Sequence, residues 1–542
     1  MANDSATDYF ALVNNHGESE LDSQAIEAGL LVATADTGAQ ASKRQEYIST
    51  ILSRFVYSDQ DRRTARATSL ALALLKTLGR QLDDSNELGT ERAFNGLLSL
   101  ALDMKNQAGM DSDLALDMKN QAGMDSEQAD YAVEACNEAL TCVANTMLLL
   151  PKSRSLFADI CGADTIDKIL RSDVSQTTAF LCGRCLFLSI ESPSSAAYCV
   201  DTLDLPKTLA RVIRMSLDRG SDKRDRFSPQ QVMNELFKAA MSLCVYYPRG
   251  TPHGSTSDDS LPPEHAAKLI DILQVSLDTL CALPLSNGHL ADPARQAIGI
   301  ALNFPTLSPD PVLRCWLPLD ESSGAESEEE RYRYVDRIYQ LFTLLAESAT
   351  GDDSCKAEIT PLALVLVRLV TEHPNVRRRL FYRVYPQDSE DYSALPEDRP
   401  GLSGTLVRLM RVPQGGMLSG AIGDFLLALL GQDVAKFILA VGYGNAAGYM
   451  LARGIAIPES VIRQVRDAVD SEPMVDPVTG RYLNQDTDRE LANMTDEEKE
   501  REAERLFVLF ERLNKTGFIK VDNPVRAAME SGRFQEIDEE SS

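Results

Sequence analysis

The 542-residue sequence has a single tryptophan, five histidines and only 6% aromatic residues. The histidines, at positions 16, 253, 265, 289 and 373, are dispersed, and no HExxH pair, G-x-S-x-G elbow or recognisable Cys/His pairing occurs. No catalytic residue, metal ligand or cofactor site is therefore nominated. Basic residues are also scarce: 54 Lys and Arg against 81 Asp and Glu leave a formal charge of −27. A field of that sign cannot hold nucleic acid or an anionic membrane, so any basic contact surface must be local. Long apolar runs are missing as well. Residues 70–75 and 362–367 fall far short of the roughly 20 residues that span a bilayer, and the N-terminal MANDSATDYF has no basic n-region before an apolar core. Neither a transmembrane helix nor a signal peptide is expected.

Ten cysteines are present, scattered from Cys136 to Cys355 and often inside apolar runs, as with Cys142 and Cys244. That suits buried, reduced thiols. Cys182 and Cys185 have CxxC spacing, but no second CxxC or nearby histidine completes a zinc site, so two packed helix cysteines are expected.

What is abundant is helical periodicity. Val232, Leu236, Ala239, Ala240 and Leu243 form one stripe, and Ser228, Pro229 and Gln231 before it make a capping-box start. Val335, Ile338, Phe342 and Leu345 form another stripe, and 362–369 is apolar nearly all round. Strand alternation is hard to find. The expected fold is all-α, an armadillo/HEAT-type solenoid of stacked helices, with a globular helical bundle as the structural alternative. Residues 218–227, 247–263, 320–330 and 387–400 read as loops, and 320–330 alone holds six carboxylates. LALDMKNQAGMDS occurs at 100–112 and again at 114–126. A perfect copy points to a recent tandem duplication or a gene-model error, which is expected to lengthen an exposed helix end or loop.

Gly442, Gly444 and Gly448 in AVGYGNAAGYMLARG lack the lysine of a P-loop and follow a helical run, so they read as a tight turn that lets two helices approach closely. The same stretch carries a family resemblance. FILAVGYGNAAGYMLARG (437–454), DPVTGR (476–481) and MTDEEKEREAERLFVLFERL (494–513), in that order, resemble the signature of the synembryn family, and weaker similarity covers nearly the whole chain. The pattern is more similar to fungal members: the acidic Ser/Thr segment of animal members is absent between the second and first of these blocks, where only Ser460 and Ser471 stand.

The resemblance implies a cytoplasmic, receptor-independent guanine nucleotide exchange factor and folding chaperone for heterotrimeric G-protein α subunits (Gα). It implies a protein that acts by binding rather than by active-site chemistry, monomeric when free, without cofactor or metal, and recruited to the cell cortex or inner face of the plasma membrane through Gα. It further implies a solenoid over residues 1–455, carrying the duplicated 100–126, then a linker at 456–493 and a partly mobile C-terminal region at 494–542. By resemblance, Lys76, Arg80, Asn145, Arg377 and Arg378 meet the C-terminal helix of Gα, with Arg379 and Arg383 nearby and Asn303 structural. An asparagine such as Asn145 can instead bind a neighbouring backbone to fix repeat packing. The segment 494–513 stands on its own pattern. Thr495 and Glu498 form a capping box, and Ala503, Leu506, Phe507, Phe510 and Leu513 make one apolar face. That face packs either on the solenoid's own end or, through Phe507 and Phe510, on Gα. The alternative function is an armadillo-type scaffold or transport adaptor that binds peptide segments without exchange activity.

Overall fold

The computed structural model describes residues 41–57, 65–80, 86–109, 126–220, 225–248, 262–304, 310–318, 328–349, 355–385, 394–411, 416–455 and Thr495. Among these the chain forms 22 α-helices and no strand, with one isolated bridge between Ser286 and His289. The first fifteen helices are α1 (Ala41–Ile51), α2 (Ala65–Leu78), α3 (Glu91–Gln107), α4 (Ser126–Leu149), α5 (Lys152–Asp159), α6 (Gly162–Leu170), α7 (Gln176–Ser189), α8 (Pro193–Ala197), α9 (Leu205–Asp218), α10 (Pro229–Tyr246), α11 (Pro263–Lys268), α12 (Ile270–Ala282), α13 (Asp292–Ala301), α14 (Asp310–Trp316) and α15 (Glu328–Arg331). They are followed by α16 (Arg333–Ser348), α17 (Lys356–Glu372), α18 (Pro374–Val384), α19 (Leu402–Met410), α20 (Met417–Leu429), α21 (Val434–Val441) and α22 (Tyr443–Ala452). The fold is all-α. The chain divides into two compact units, residues 1–341 and 342–542.

The helices start where the sequence says they should. At α10 the Ser228 hydroxyl accepts from the Gln231 amide at 3.3 Å while the Gln231 side chain accepts from the Ser228 amide at 2.9 Å, and Pro229 opens the first turn. Thr90 and Ser175 cap α3 and α7 with the hydroxyl alone, accepting from the Ala93 and Thr178 amides. Each such cap is worth about 1 kcal/mol because it satisfies backbone amides that have no helical partner. The two expected apolar stripes, Val232 to Leu243 and Val335 to Leu345, are buried throughout.

In unit 1 the helices pack as two rows. One row runs α2, α4, α7, α10, α13, each in contact with the next, and the other runs α3, α6, α9, α12, α14. The rows back onto each other through α3 with α4, α6 with α7, α9 with α10, and α12 with α13. This is the solenoid plan: each helix buries its apolar stripe on neighbours in chain order, and no single central core is needed. Spacing within the row is set partly by Gly183 on α7. A Cβ there would lie 3.1 Å from the Leu236 side chain and 3.3 Å from the Leu236 amide, so the absence of a side chain lets α7 and α10 come close.

The first copy of the duplicated segment is partly described: its residues 100–107 are the last two turns of α3, and Ala101 and Met104 are buried. They continue the stripe of Phe94, Leu97 and Leu98 at helical spacing, so they belong to the core. The second copy, apart from Ser126 at the start of α4, lies outside the described residues. Most of the four expected loops does too, although Glu328–Arg331 is a helical turn and Pro396–Asp398 a 3-10 turn.

Unit 2 is built around α20, which touches α17, α18, α19, α21 and α22. Ala421, Phe425 and Leu429 on one side and Gly423 and Leu427 on the opposite side are all buried, as expected of a helix enclosed by neighbours.

Candidate functional site

Each helix of the α2, α4, α7, α10, α13 row is flanked by row-mates and backed by the other row, so its remaining exposed stripe lies on one common side. Of the residues singled out in the sequence, Lys76 on α2 and Asn145 on α4 belong to helices of this row and are partly exposed. Lys76, in the last turn of α2, is not a free cation. Its ammonium lies 2.6 Å from both carboxylate oxygens of Glu138 on α4, and the two side chains are only 16% and 13% exposed. Burying a carboxylate requires such a partner, so Lys76 ties α2 to α4, and another anion could only share it. Arg80, just past the end of α2, is exposed and makes no ion pair among the described residues.

Asn145 stands two helical turns beyond Glu138 on α4, hence on the same side. It is half-buried, and its carboxamide makes no hydrogen bond among the described residues. Nothing there supports the role of fixing repeat packing. Asn303, by contrast, donates to the Gly299 carbonyl at 2.8 Å and contacts the Met241 sulfur at 3.6 Å, a structural role. Leu148, three residues after Asn145, is 46% exposed.

Further along the row, α7 and α10 carry a group that sequence reasoning missed. Glu235 on α10 is buried, and it accepts from the Arg184 guanidinium of α7 and, at 2.8 Å, from Lys238. Arg184 lies over the Phe180 ring, which stacks on Phe227 with centroids 3.7 Å apart. Lys238 lies 5.9 Å from the centre of Phe187, itself 37% exposed. The one available signal was Arg184 set in the otherwise apolar AFLCGRCLFL, a cation that must reach something; which carboxylate it reaches is decided by packing. The CxxC cysteines around it are buried and free, and burial pushes the Cys185 thiol up to about 12.

In unit 2, Arg377 and Arg378 stand on α18, the first half-buried and the second exposed. Neither guanidinium makes an ion pair or hydrogen bond among the described residues. Arg377 comes within 3.9 Å of where a Cβ on Gly431 would stand. Gly431, at φ +77°, and Gln432 close the C-terminal end of α20 through bonds back to Ala428 and Leu427. A cation is favoured beside such an end by the helix dipole. Nearby exposed groups include Tyr382, one turn after Arg378.

The glycine cluster joins α21 to α22 through Gly442 at φ +82°, as a tight turn after a helix. Gly444 and Gly448 do not sit against another helix, however: a Cβ at either would meet nothing within 4 Å. Both line a cleft of about 770 Å³ with Met417, Gly420, Tyr449 and Arg453. On its wall Asp424 accepts from Tyr449 and Arg453, and burial, with the Asp424 bond, holds the Tyr449 phenol well above the ordinary tyrosine range.

Phe507 and Phe510, and the rest of 494–513 apart from the exposed Thr495, lie outside the described residues. Among the described residues no group of histidine, cysteine and carboxylate side chains could hold a metal ion, and no helix is long and apolar enough to cross a membrane.

Comparison with known proteins gives this arrangement a context. The family model described as guanine nucleotide exchange factor synembryn matches residues 71–533. The chain is 31% identical to Chaperone ric-8 of Caenorhabditis elegans over 186 residues, 33% of this chain and 32% of that protein. It is 30% identical to Chaperone Ric-8A of Macaca fascicularis over 220 residues, 38% of this chain and 40% of the relative. With Chaperone Ric-8A of Bos taurus the identity is 26% over 296 residues, 49% and 55% of the two chains. The matched stretches span between about a third and about half of these relatives' lengths. Among solved structures, the crystal structure of an engineered protein aligns loosely, at a TM-score of 0.44 and 13% identity over 90% of this chain and 95% of the other.

Proposed function

The chain belongs to the synembryn family, and from that premise we propose that it is a receptor-independent guanine nucleotide exchange factor for Gα and a chaperone for Gα folding. The observation that carries the reading is the exposed side of the α2 to α13 row, where a carboxamide with no hydrogen bond among the described residues, exposed apolar side chains and braced cations are found in a strongly acidic chain. Such a surface suits a helix with apolar and acidic side chains, and the C-terminal helix of Gα is that kind of ligand.

The mechanism requires a difference in affinity and no bond-making group. If the protein binds nucleotide-free Gα more tightly than GDP-bound Gα, linkage obliges it to weaken GDP binding by the same factor. A coupling of about 3 kcal/mol corresponds to roughly a hundredfold. Holding the C-terminal helix away from the Gα body loosens the loop around the guanine, GDP leaves, and the empty form is kept until GTP arrives. The same grip serves nascent Gα as a chaperone, because it covers an apolar helix before its own domain can. Asn145 and Arg80 contribute in unit 1, with Lys76 shared between Glu138 and the ligand. Arg377 and Arg378 contribute from unit 2, and the apolar face bearing Phe507 and Phe510 contacts the nucleotide-binding domain. The protein works in the cytoplasm as a monomer and reaches the membrane only through Gα.

Release of fluorescent GDP from purified Gα tests this directly. Acceleration proportional to added protein is expected; its absence with every Gα of the source organism, alongside retained peptide binding, would leave a scaffold or adaptor.

A further inference from the structure

We propose that the cleft of unit 2 between α20 and α22 seats the chain's own segment 494–513 when no Gα is bound, with the apolar face that bears Phe507 and Phe510 turned into it. The inference goes beyond the exchange reading and does not depend on it. Three of the seven large apolar side chains exposed among the described residues belong to the start of α20 or the end of α22: Met417 at 79%, Leu451 at 46% and Ile455 at 39%. Met417 lines the cleft itself, and Leu451, seven residues after Gly444, returns to the same side of α22. Apolar surface gathered in this way marks a contact site.

The interior suits apolar side chains. Its volume of about 770 Å³ opens over a bare stretch of α22, where a Cβ on Gly444 or Gly448 would meet nothing within 4 Å. The polar side chains around it are already engaged. Asp424 accepts from Tyr449 and Arg453, while Asn445, Ser419 and Thr360 donate to the carbonyls of Val441, Met410 and Lys356. None of these calls for a polar ligand, whereas aromatic rings laid on the glycines would remove apolar surface from water.

Chain length and charge choose the occupant. Ile455 stands two residues after Arg453 of the cleft wall, and the 38 residues of 456–493 separate it from the segment. Fully extended they would reach on the order of 120 Å, so the tether sets no limit. A segment tethered in this way competes at an effective concentration on the order of a millimolar, roughly a thousandfold above that of a second copy in a micromolar solution. An intrinsic dissociation constant of only about 100 μM then keeps it about nine-tenths seated. The edges fit as well. At helical spacing Glu500 and Glu511 flank one side of the apolar face and Glu502 the other, while Arg411 and Arg453 line the cleft with side chains 51% and 41% exposed. Because the same face is proposed above to contact the nucleotide-binding domain, the seat and Gα exclude one another. The cleft thus covers in the free protein what Gα covers in the complex.

The test is hydrogen–deuterium exchange of the full chain without Gα, so its outcome and that of the exchange reading are separate. Amides of residues 503–513 should exchange about tenfold more slowly in the wild type than in Gly448→Glu, because exchange proceeds from the unseated tenth. Gly448→Glu sets a carboxylate on the open floor and, with room for its Cβ, should leave α20 as protected as before. A second variant, Phe507→Ser with Phe510→Ser, changes no residue of the described helices and is read from the cleft side. Hydroxyl-radical oxidation of Met417 should rise about fivefold over the wild type, with the buried Met233 as internal standard. Equal exchange of 503–513 in the wild type and Gly448→Glu overturns the proposal, as does equal oxidation of Met417 in the wild type and the double variant. Protection that grows with protein concentration overturns it too, since the occupant would then be a second copy.

Discussion

On the helices of the α2 to α13 row of unit 1, three cations are held by carboxylates. Lys76 is clamped by Glu138, and Arg184 and Lys238 share the buried Glu235. On α18 of unit 2, Arg377 and Arg378 have no carboxylate partner among the described residues, and Arg377 leans on the end of a helix instead. The difference teaches that one residue type can do two jobs. Where a carboxylate is buried, its cation is first a structural tie and only secondarily a contact, because leaving a buried charge alone costs several kcal/mol. Where the cation stands at the surface, the fold asks little of it and its charge is available to a partner.

The largest effect that would sharpen this contrast involves no charge. A Cβ on Gly404 would fall 2.1 Å from the Arg399 carbonyl oxygen, so Gly404→Ala should cost about 3 kcal/mol in urea unfolding followed by circular dichroism. That result would show that the close backbone approach at α19 stabilises unit 2 independently of Arg377 and Arg378. Next, Lys76→Met should cost about 2 kcal/mol by stranding Glu138, and the double change Lys76→Met with Glu138→Leu should recover most of the loss. A single variant as stable as wild type would break the contrast, since Lys76 would then be no tie. Reversing the unit 2 pair, Arg377→Glu with Arg378→Glu, should weaken Gα binding about tenfold while stability moves by about 0.5 kcal/mol or less. Unchanged binding in a pull-down titration would remove both from the contact surface. Smallest is a labelling difference: at pH 8, iodoacetamide should modify the exposed Cys161 and Cys281 well before the buried Cys136, Cys185 and Cys244, whose thiols burial raises to about 12. Mass spectrometry of tryptic peptides would read it.

Much of the fold was legible because helix formation is local. The Ser228 cap and the stripes from Val232 and Val335 follow from residues within a few turns of each other, and they came out as expected. A repeat in sequence does not say which copy the core uses: Ala101 and Met104 of the first copy fit the α3 stripe and were taken into it, while the second copy lies outside the described residues. Gly444 and Gly448 were misread for a related reason. Glycine permits both close approach and open space, and only the surrounding helices decide between them.

Lys76, Arg80, Asn145, Arg377 and Arg378 were nominated through family resemblance, and chain chemistry alone could not rank them. The Arg184, Glu235 and Lys238 cluster could not be assembled from the sequence because Arg184 lies 51 positions before Glu235 and meets it and Lys238 only when α7 packs on α10.

By itself the sequence determined the helical class, the positions of caps and stripes, the strong acidity that confines basic contacts to local patches, and the family. These rest on composition and on interactions within a few residues. Tertiary structure decided which cations are ties and which are available, which glycines face solvent, and which carboxylate is buried beneath which cation. Those properties depend on distances across helix interfaces and on how much water each charge retains, and neither quantity exists until the chain has packed.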